Sequence, residues 1–298
     1  MSVEPPSHLE VSEARSAMVG TLPVRRALPN RRRRTVGAWC FVDHMGPAPV
    51  TPEHGVDIGP HPHIGLQTAT WLVAGEVLHR DSLGSEQVIR PGQLNLMTAG
   101  NGVVHAEERT GRYRGDLHGV QLWIAQPDAT RHGPAAFEHH ADLPRAEVAG
   151  GVATVLVGEM LGARSPARRD TDHVGAELAL HTGRTELPLD PAFEHALVVL
   201  HGAATVDGHR LEPGHLAYLG GGRSEATLAV DGPTIVLLIG GLPFEATPFM
   251  WWNFVARTRD EIDAAYRAWR DGDERFGPVA SALAPIPVGP PPWLAGRP

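Results

Sequence analysis

Residues 67–75 read QTATWLVAG, nine residues rich in threonine, tryptophan, leucine and valine that close on a glycine. β-Branched and aromatic side chains suit a pleated, packed surface, so the run predicts a strand. Four further runs have the same make-up: GVQLWIAQP (119–127), GVATVLVGE (151–159), HALVVLHG (195–202) and TIVLLIGG (234–241). Each is eight or nine residues long and ends at or beside glycine or proline. With 34 glycines and 27 prolines punctuating such runs, the body of the chain reads as all-β, a sandwich or a barrel. No long helical periodicity interrupts it between residues 15 and 250.

A weak internal repeat widens this reading. TWLVAGEVLHRD…IRPGQLNLM (70–97) is echoed by HALVVLHGAATVDGHRLEPGHLAYL (195–219): a strand ending in glycine, a short return, a Pro-Gly turn and a second strand. Pro91 and Pro213 lie 122 residues apart, Gly75 and Gly202 127 apart. Two similar halves of about 120 residues fit the chain length. The pattern breaks within 127–147, and the expected division is 1–130 and 131–298. The C-terminal part changes character. Thr258 with Glu261 forms a capping-box pattern, and Ile262, Ala265, Tyr266 and Trp269 follow at helical spacing. A helix over about 258–272 is expected, its apolar face packed in a core, followed by an extended proline-rich tail at 285–298.

Composition narrows the function. The 298 residues carry 26 cations and 34 carboxylates, a formal charge of −8, which disfavours nucleic acid as a direct partner. Every cation is arginine, so a lysine Schiff base and a P-loop lysine are excluded. The basic cluster Arg31–Arg34 reads as a solvated turn or interface segment. A lone cysteine, Cys40, rules out an internal disulfide framework or a cysteine zinc cage and is expected in the core. No apolar run reaches a membrane span, and the N-terminal residues lack a basic or apolar leader, so a cytoplasmic protein with no membrane partner is expected.

The seventeen histidines hold the chemistry. His61-Pro62-His63 and, further on, His105-Ala106-Glu107 each place two metal-binding side chains two residues apart, hence on one face of a strand. Three imidazoles and one carboxylate suit a first-row divalent metal and leave positions open for a substrate or dioxygen. His44, His54 and His79 are candidates for donors that orient those ligands. In the second half, the repeat places Pro188 and Asp190 at the positions of His61 and His63, and Thr227 and Ala229 opposite His105 and Glu107, so the metal set is absent there.

These residues resemble the pirin family, a branch of the cupin superfamily. The likeness runs through 25–47, 61–108 and 118–127, and more loosely through LEPGHLAYLGGG (211–222) and 240–269. It implies two stacked cupin-type β-barrel domains with a C-terminal α-helix packing back on the N-terminal barrel. It also implies a non-haem iron held in that barrel alone, by the positions that fall on His61, His63, His105 and Glu107. Some pirins open the flavonol quercetin with dioxygen; others are regulatory partners of proteins. Gln67, where pirins commonly carry glutamate, and MWWNFV (250–255) depart from the pattern.

The expected activity is a dioxygenase acting on a small aromatic enol of the flavonol type, with Glu107 taking the substrate proton. Phe41, Trp71, Met97 and Trp123 are the candidate apolar wall for a planar ring. The alternative is a metal-dependent redox sensor that binds a protein partner without turnover, motivated by Arg31–Arg34, the acidic remainder and Trp251-Trp252. Fe(II)/Fe(III) is the expected ion. Ni, Cu, Mn or Zn can take the same ligands when the protein is purified.

Overall fold

The computed structural model describes residues 9–20 and 22–294; residues 1–8 and the last four residues of the proline-rich tail lie outside it. The five runs that decided the sequence reading are all strands: Leu66–Ala74, Gly115–Ala125, Gly151–Val157, Glu194–His201 and Thr234–Gly241. They belong to two antiparallel barrels of matching design. The first has a seven-stranded sheet in the order Ala136–His140, Leu94–Thr98, Leu66–Ala74, Gly115–Ala125, Trp39–Val50, Leu22–Leu28, Arg15–Val19. A four-stranded sheet faces it, in the order Asp57–His63, Val103–Glu108, Val77–Asp81, Glu86–Ile89.

The second barrel repeats the plan. Its seven-stranded sheet runs Glu10–Glu13, His215–Gly220, Glu194–His201, Thr234–Gly241, His173–Leu180, Gly151–Val157, Arg145–Val148. Its smaller sheet runs Gly183–Pro188, Glu225–Val230, Ala204–Val206, His209–Leu211. The halves exchange edges: Glu10–Glu13 pairs in the second barrel, whereas Ala136–His140 pairs with Leu94–Thr98 in the first. Each exchanged strand covers an edge that would otherwise expose unpaired backbone groups.

The large sheets pack back to back. Trp39, Trp71, Leu122 and Ile124 of the first meet Leu156, Val198, Leu237 and Ile239 of the second in one buried cluster. Trp39 reaches furthest, its Nε1–H donating to the carbonyls of Val174 (3.2 Å) and Gly240 (3.1 Å). Inside, the barrels differ. The second is filled by Leu178, Leu187, Leu197, Val206, Leu228 and their neighbours. The first has apolar clusters too, but keeps between them a cavity lined by His61, His63, His105, Glu107 and Gln121.

The helix, Arg259–Asp271, begins where the capping box predicts: Thr258 Oγ1 accepts from Glu261 N–H, and Gly272 ends it in the left-handed conformation. Ile262, Ala265 and Tyr266 pack on Phe254 and on Val104, which lies on the outer side of the first barrel's small sheet. Thus the helix does fold back on the N-terminal barrel. The tail beyond it has no regular hydrogen bonding but is seated: Ile286 N–H donates to Pro60 (3.0 Å) and Trp293 Nε1–H to Asp263 (2.7 Å).

The repeat positions need one correction. In the first barrel His105 lies opposite His61 and Val103 opposite His63; in the second Thr227 lies opposite Glu186 and Glu225 opposite Pro188. The counterparts of His61 and His63 are therefore Glu186 and Pro188, two residues earlier than the spacing suggested. The connection after the first strand of each pair differs in length, Ile64–Gly65 in one half and residues 189–193 in the other, and sequence offsets absorb that difference wrongly.

Candidate metal centre

Strand Asp57–His63 pairs antiparallel with Val103–Glu108, and the alternation sends Val104 outward to the helix while His105 and Glu107 face the interior. His61, His63 and His105 come together: one ring nitrogen from each lies within 4.8 Å of the others, the group of this kind among the described residues. All three are buried, at 6%, 1% and 2% exposure, and burial pushes His61 down to about 4 and His63 and His105 well below the ordinary imidazole value. They are neutral, as metal ligands must be.

Their tautomers follow from their neighbours. His61 Nδ1–H donates to the Gly59 carbonyl at 2.8 Å, and His63 Nδ1–H to the Asn253 carbonyl at 3.1 Å. His79 Nε2 lies 3.0 Å from Asp81 and its Nδ1 3.4 Å from His105 Nδ1. His61 and His63, each with Nδ1–H engaged, present a bare Nε2. The Nε2 atoms of His63 and His105 face each other at 3.0 Å. That is the separation of two nitrogens bound at right angles to one ion at about 2.1 Å, so the arrangement fits a bound metal.

Glu107 faces the same cavity but stands apart from the histidine group, its carboxylate beside the Thr70 hydroxyl (3.4 Å). The register shift beside it puts the extra residue on the facing strand, between Ile58 and His61, so His105 and Glu107 keep regular alternation and share the interior face. Burial raises the acid above the ordinary carboxylate range.

The cavity, about 480 Å³, opens beside the histidines. Phe41 and Trp123 line it, stacked at 4.0 Å and 14°. Trp71 and Met97 do not. Trp71 points out of the opposite face of its sheet, with Nε1–H donating to Glu177 of the second barrel at 2.6 Å. Met97 shares Trp123's face of the sheet but is covered by a cluster that includes Leu66, Phe137 and Trp123. Of the proposed orienting histidines only His79 serves: His44 pairs with His118 (2.9 Å), and His54 closes an exposed turn with Thr51. Gln67 bonds Thr98 and does not line the cavity.

Sequence reading missed a polar row across the barrel wall. Register places Arg15, Arg26, Asp43, Gln121, Thr70, Asn95 and His139 directly opposite one another on successive strands of the large sheet. Arg26 grips Asp43 with two hydrogen bonds (2.7 and 2.6 Å), and Thr70 reaches both Gln121 (2.9 Å) and Glu107. The alternation of polar residues inside otherwise apolar strands was the available signal.

Paired antiparallel barrels with, among the described residues, a three-histidine pocket in the first define a cupin-type protein with a candidate metal centre. Residues 21–124 match the pirin family and residues 176–277 the pirin C-terminal cupin domain. The chain belongs to the pirin family. A Pseudomonas aeruginosa protein named "putative quercetin 2,3-dioxygenase" is 50% identical over 283 residues, 94% of this chain and 90% of its own. A pirin-like protein of Caulobacter vibrioides is 37% identical over 270 residues, 88% of this chain and 93% of its own. The crystal structure of quercetin 2,3-dioxygenase from Acinetobacter baumannii is 44% identical with a TM-score of 0.90, covering 95% of this chain and 96% of that one. The Escherichia coli pirin YhhW, solved with nickel(II), shares the fold at a TM-score of 0.65 and 17% identity, covering 79% of this chain and 100% of its own.

Proposed function

We propose that this chain is a metal-dependent dioxygenase of planar aromatic enols, of the quercetin 2,3-dioxygenase type, with His61, His63 and His105 holding the ion. The observation that carries this reading is the trio of buried histidines, with the His63 and His105 Nε2 atoms 3.0 Å apart, set beside a cavity with an aromatic wall. The names of the Pseudomonas and Acinetobacter relatives support the substrate class. Iron is the ion proposed, and when bound it supplies Lewis acidity toward an enolate oxygen and a route for electrons from substrate to dioxygen.

The protein's own groups do the rest. Phe41 and Trp123 hold the ring plane. Glu107, made more basic by burial, accepts and holds the enol proton, with the Thr70 hydroxyl donating to its carboxylate at 3.4 Å. Metal selectivity does not come from the ligands, since nickel, copper, manganese and zinc accept the same nitrogens.

Part of what suggested a partner surface is used within the chain: Arg33 lies over the Tyr218 ring (3.2 Å), and Trp251 and Trp252 pack with Phe254 and line the cavity. The test is oxygen uptake by anaerobically iron-loaded protein on adding quercetin. Uptake that follows iron content and falls at least tenfold in Glu107→Gln is expected; background uptake across a flavonol panel removes the proposed substrate.

A further inference from the structure

We infer that the outer half of the metal cavity is an anion site, and that the ligand this chain takes is an aromatic enol bearing a carboxylate at the end remote from the metal. This rests on the metal-pocket reading and adds the substrate's charge to it. The wall of the cavity has a direction. His63 meets Trp123 edge-on at 5.3 Å, Trp123 stacks on Phe41 at 4.0 Å, and the Arg26 guanidinium covers Phe41 at 4.3 Å. The aromatic surface thus leads from the histidines to arginine.

Charge at the far end is not balanced. Three arginines line the cavity, Arg15, Arg26 and Arg34, against the carboxylates of Asp43 and Glu107. Asp43 is gripped by Arg26 and shared, at longer range, with Arg15, and Glu107 lies on the histidine strand at the inner end. Among the described residues no carboxylate pairs with Arg15 or Arg34, both exposed at the mouth. Gln121, on the same wall, has a buried Nε2 with no acceptor. Two open guanidiniums and an orphaned amide donor call for an acceptor-rich, negatively charged group, and a guanidinium fork matches a carboxylate best. In a chain of net charge −8 this mouth stands out and draws anions inward. A neutral polyphenol leaves these donors without a partner.

The experiment titrates metal-loaded protein with 6-hydroxy-2-naphthoate and with 2-naphthol, following tryptophan quenching. The first should bind about five- to tenfold tighter at low ionic strength, a preference that shrinks with added salt. In Arg15→Gln/Arg34→Gln the ratio should fall to about one. In Arg31→Gln/Arg32→Gln, which removes the same charge outside the cavity, it should persist. Equal affinities in the wild-type protein, or a preference that survives in Arg15→Gln/Arg34→Gln, overturn the anion site. Oxygen uptake recorded alongside reports on the dioxygenase reading separately: charge-selective binding without uptake upholds the anion site and counts against turnover.

Discussion

The Nδ1 of His63 donates to the main-chain carbonyl of Asn253, a contact of 3.1 Å across 190 residues of sequence. Asn253 follows Trp252 in the two-residue turn of the hairpin Phe249–Trp251 and Phe254–Ala256, and Trp252 sits at φ +52°. A side chain in that left-handed conformation costs about 1–3 kcal/mol, which the aromatic packing around the turn offsets. The C-terminal hairpin therefore fixes the tautomer of a candidate ligand on the N-terminal barrel. The helix that follows packs on Val104 of the neighbouring strand, and the tail lies on Gly59 and Pro60 of the His63 strand.

The His105–His79–Asp81 relay predicts a graded loss of metal. His105→Ala should abolish stoichiometric binding, whereas His79→Ala should weaken it about 10- to 100-fold while leaving the site able to fill at high metal concentration. Equilibrium dialysis against zinc separates the two. Equal affinity in wild-type and His79→Ala protein would show that the relay orients nothing.

The two faces of the large sheet should respond differently to aromatic substitution. Trp71→Phe removes the donor to Glu177, a carboxyl that burial raises, and should cost about 1–3 kcal/mol in urea unfolding with metal content intact. Trp123→Leu should instead weaken naphthol binding, by about 0.5–1.5 kcal/mol from lost ring stacking. Ligand titration and unfolding curves on both variants check this.

Gly59 tests whether the tail supports the metal strand. A Cβ there would lie 2.1 Å from the Ala284 carbonyl, and the Gly59 carbonyl itself holds His61. Gly59→Ala should cost about 1–3 kcal/mol and lower metal affinity as well. Unchanged melting and unchanged affinity would mean the tail is not seated on that strand.

Stability of the metal-free protein should fall on acidification. Burial pushes His173 and His195, both outside the metal site, down to about 4. The folded state keeps these rings neutral, whereas the unfolded chain protonates them near pH 6.5, so U binds more protons between those values. Their contribution is complete above about pH 6.5, declines by on the order of 1 kcal/mol per pH unit per histidine down to about pH 4, and is flat below. His173→Gln should make the slope between pH 7 and 5 shallower in urea unfolding monitored with chelator present.

Some of this was written in the sequence and some was not. A period of two put His61 with His63 because strand alternation is local, and Thr258 with Glu261 announced the helix because a cap satisfies its own backbone. Trp71 went astray because both faces of the large sheet are buried, one in the barrel and one against its twin, so hydrophobicity says nothing about which way a side chain points. Met97 points inward but is covered by Leu66, Phe137 and Trp123, a packing the sequence does not show. Alternation placed Glu107 on the interior face with His105, but the Thr70 hydroxyl beside its carboxylate comes from another sheet and had no sequence signal. The Asn253 carbonyl had no sequence signal at all, since every residue carries one. The sequence by itself determined the strands, the helix and the residue types available for a metal, because those depend on neighbours along the chain. Only the tertiary structure decided which ring nitrogens face each other and which arginines share a cavity, because those depend on register across seven strands and on contacts between residues nearly two hundred positions apart.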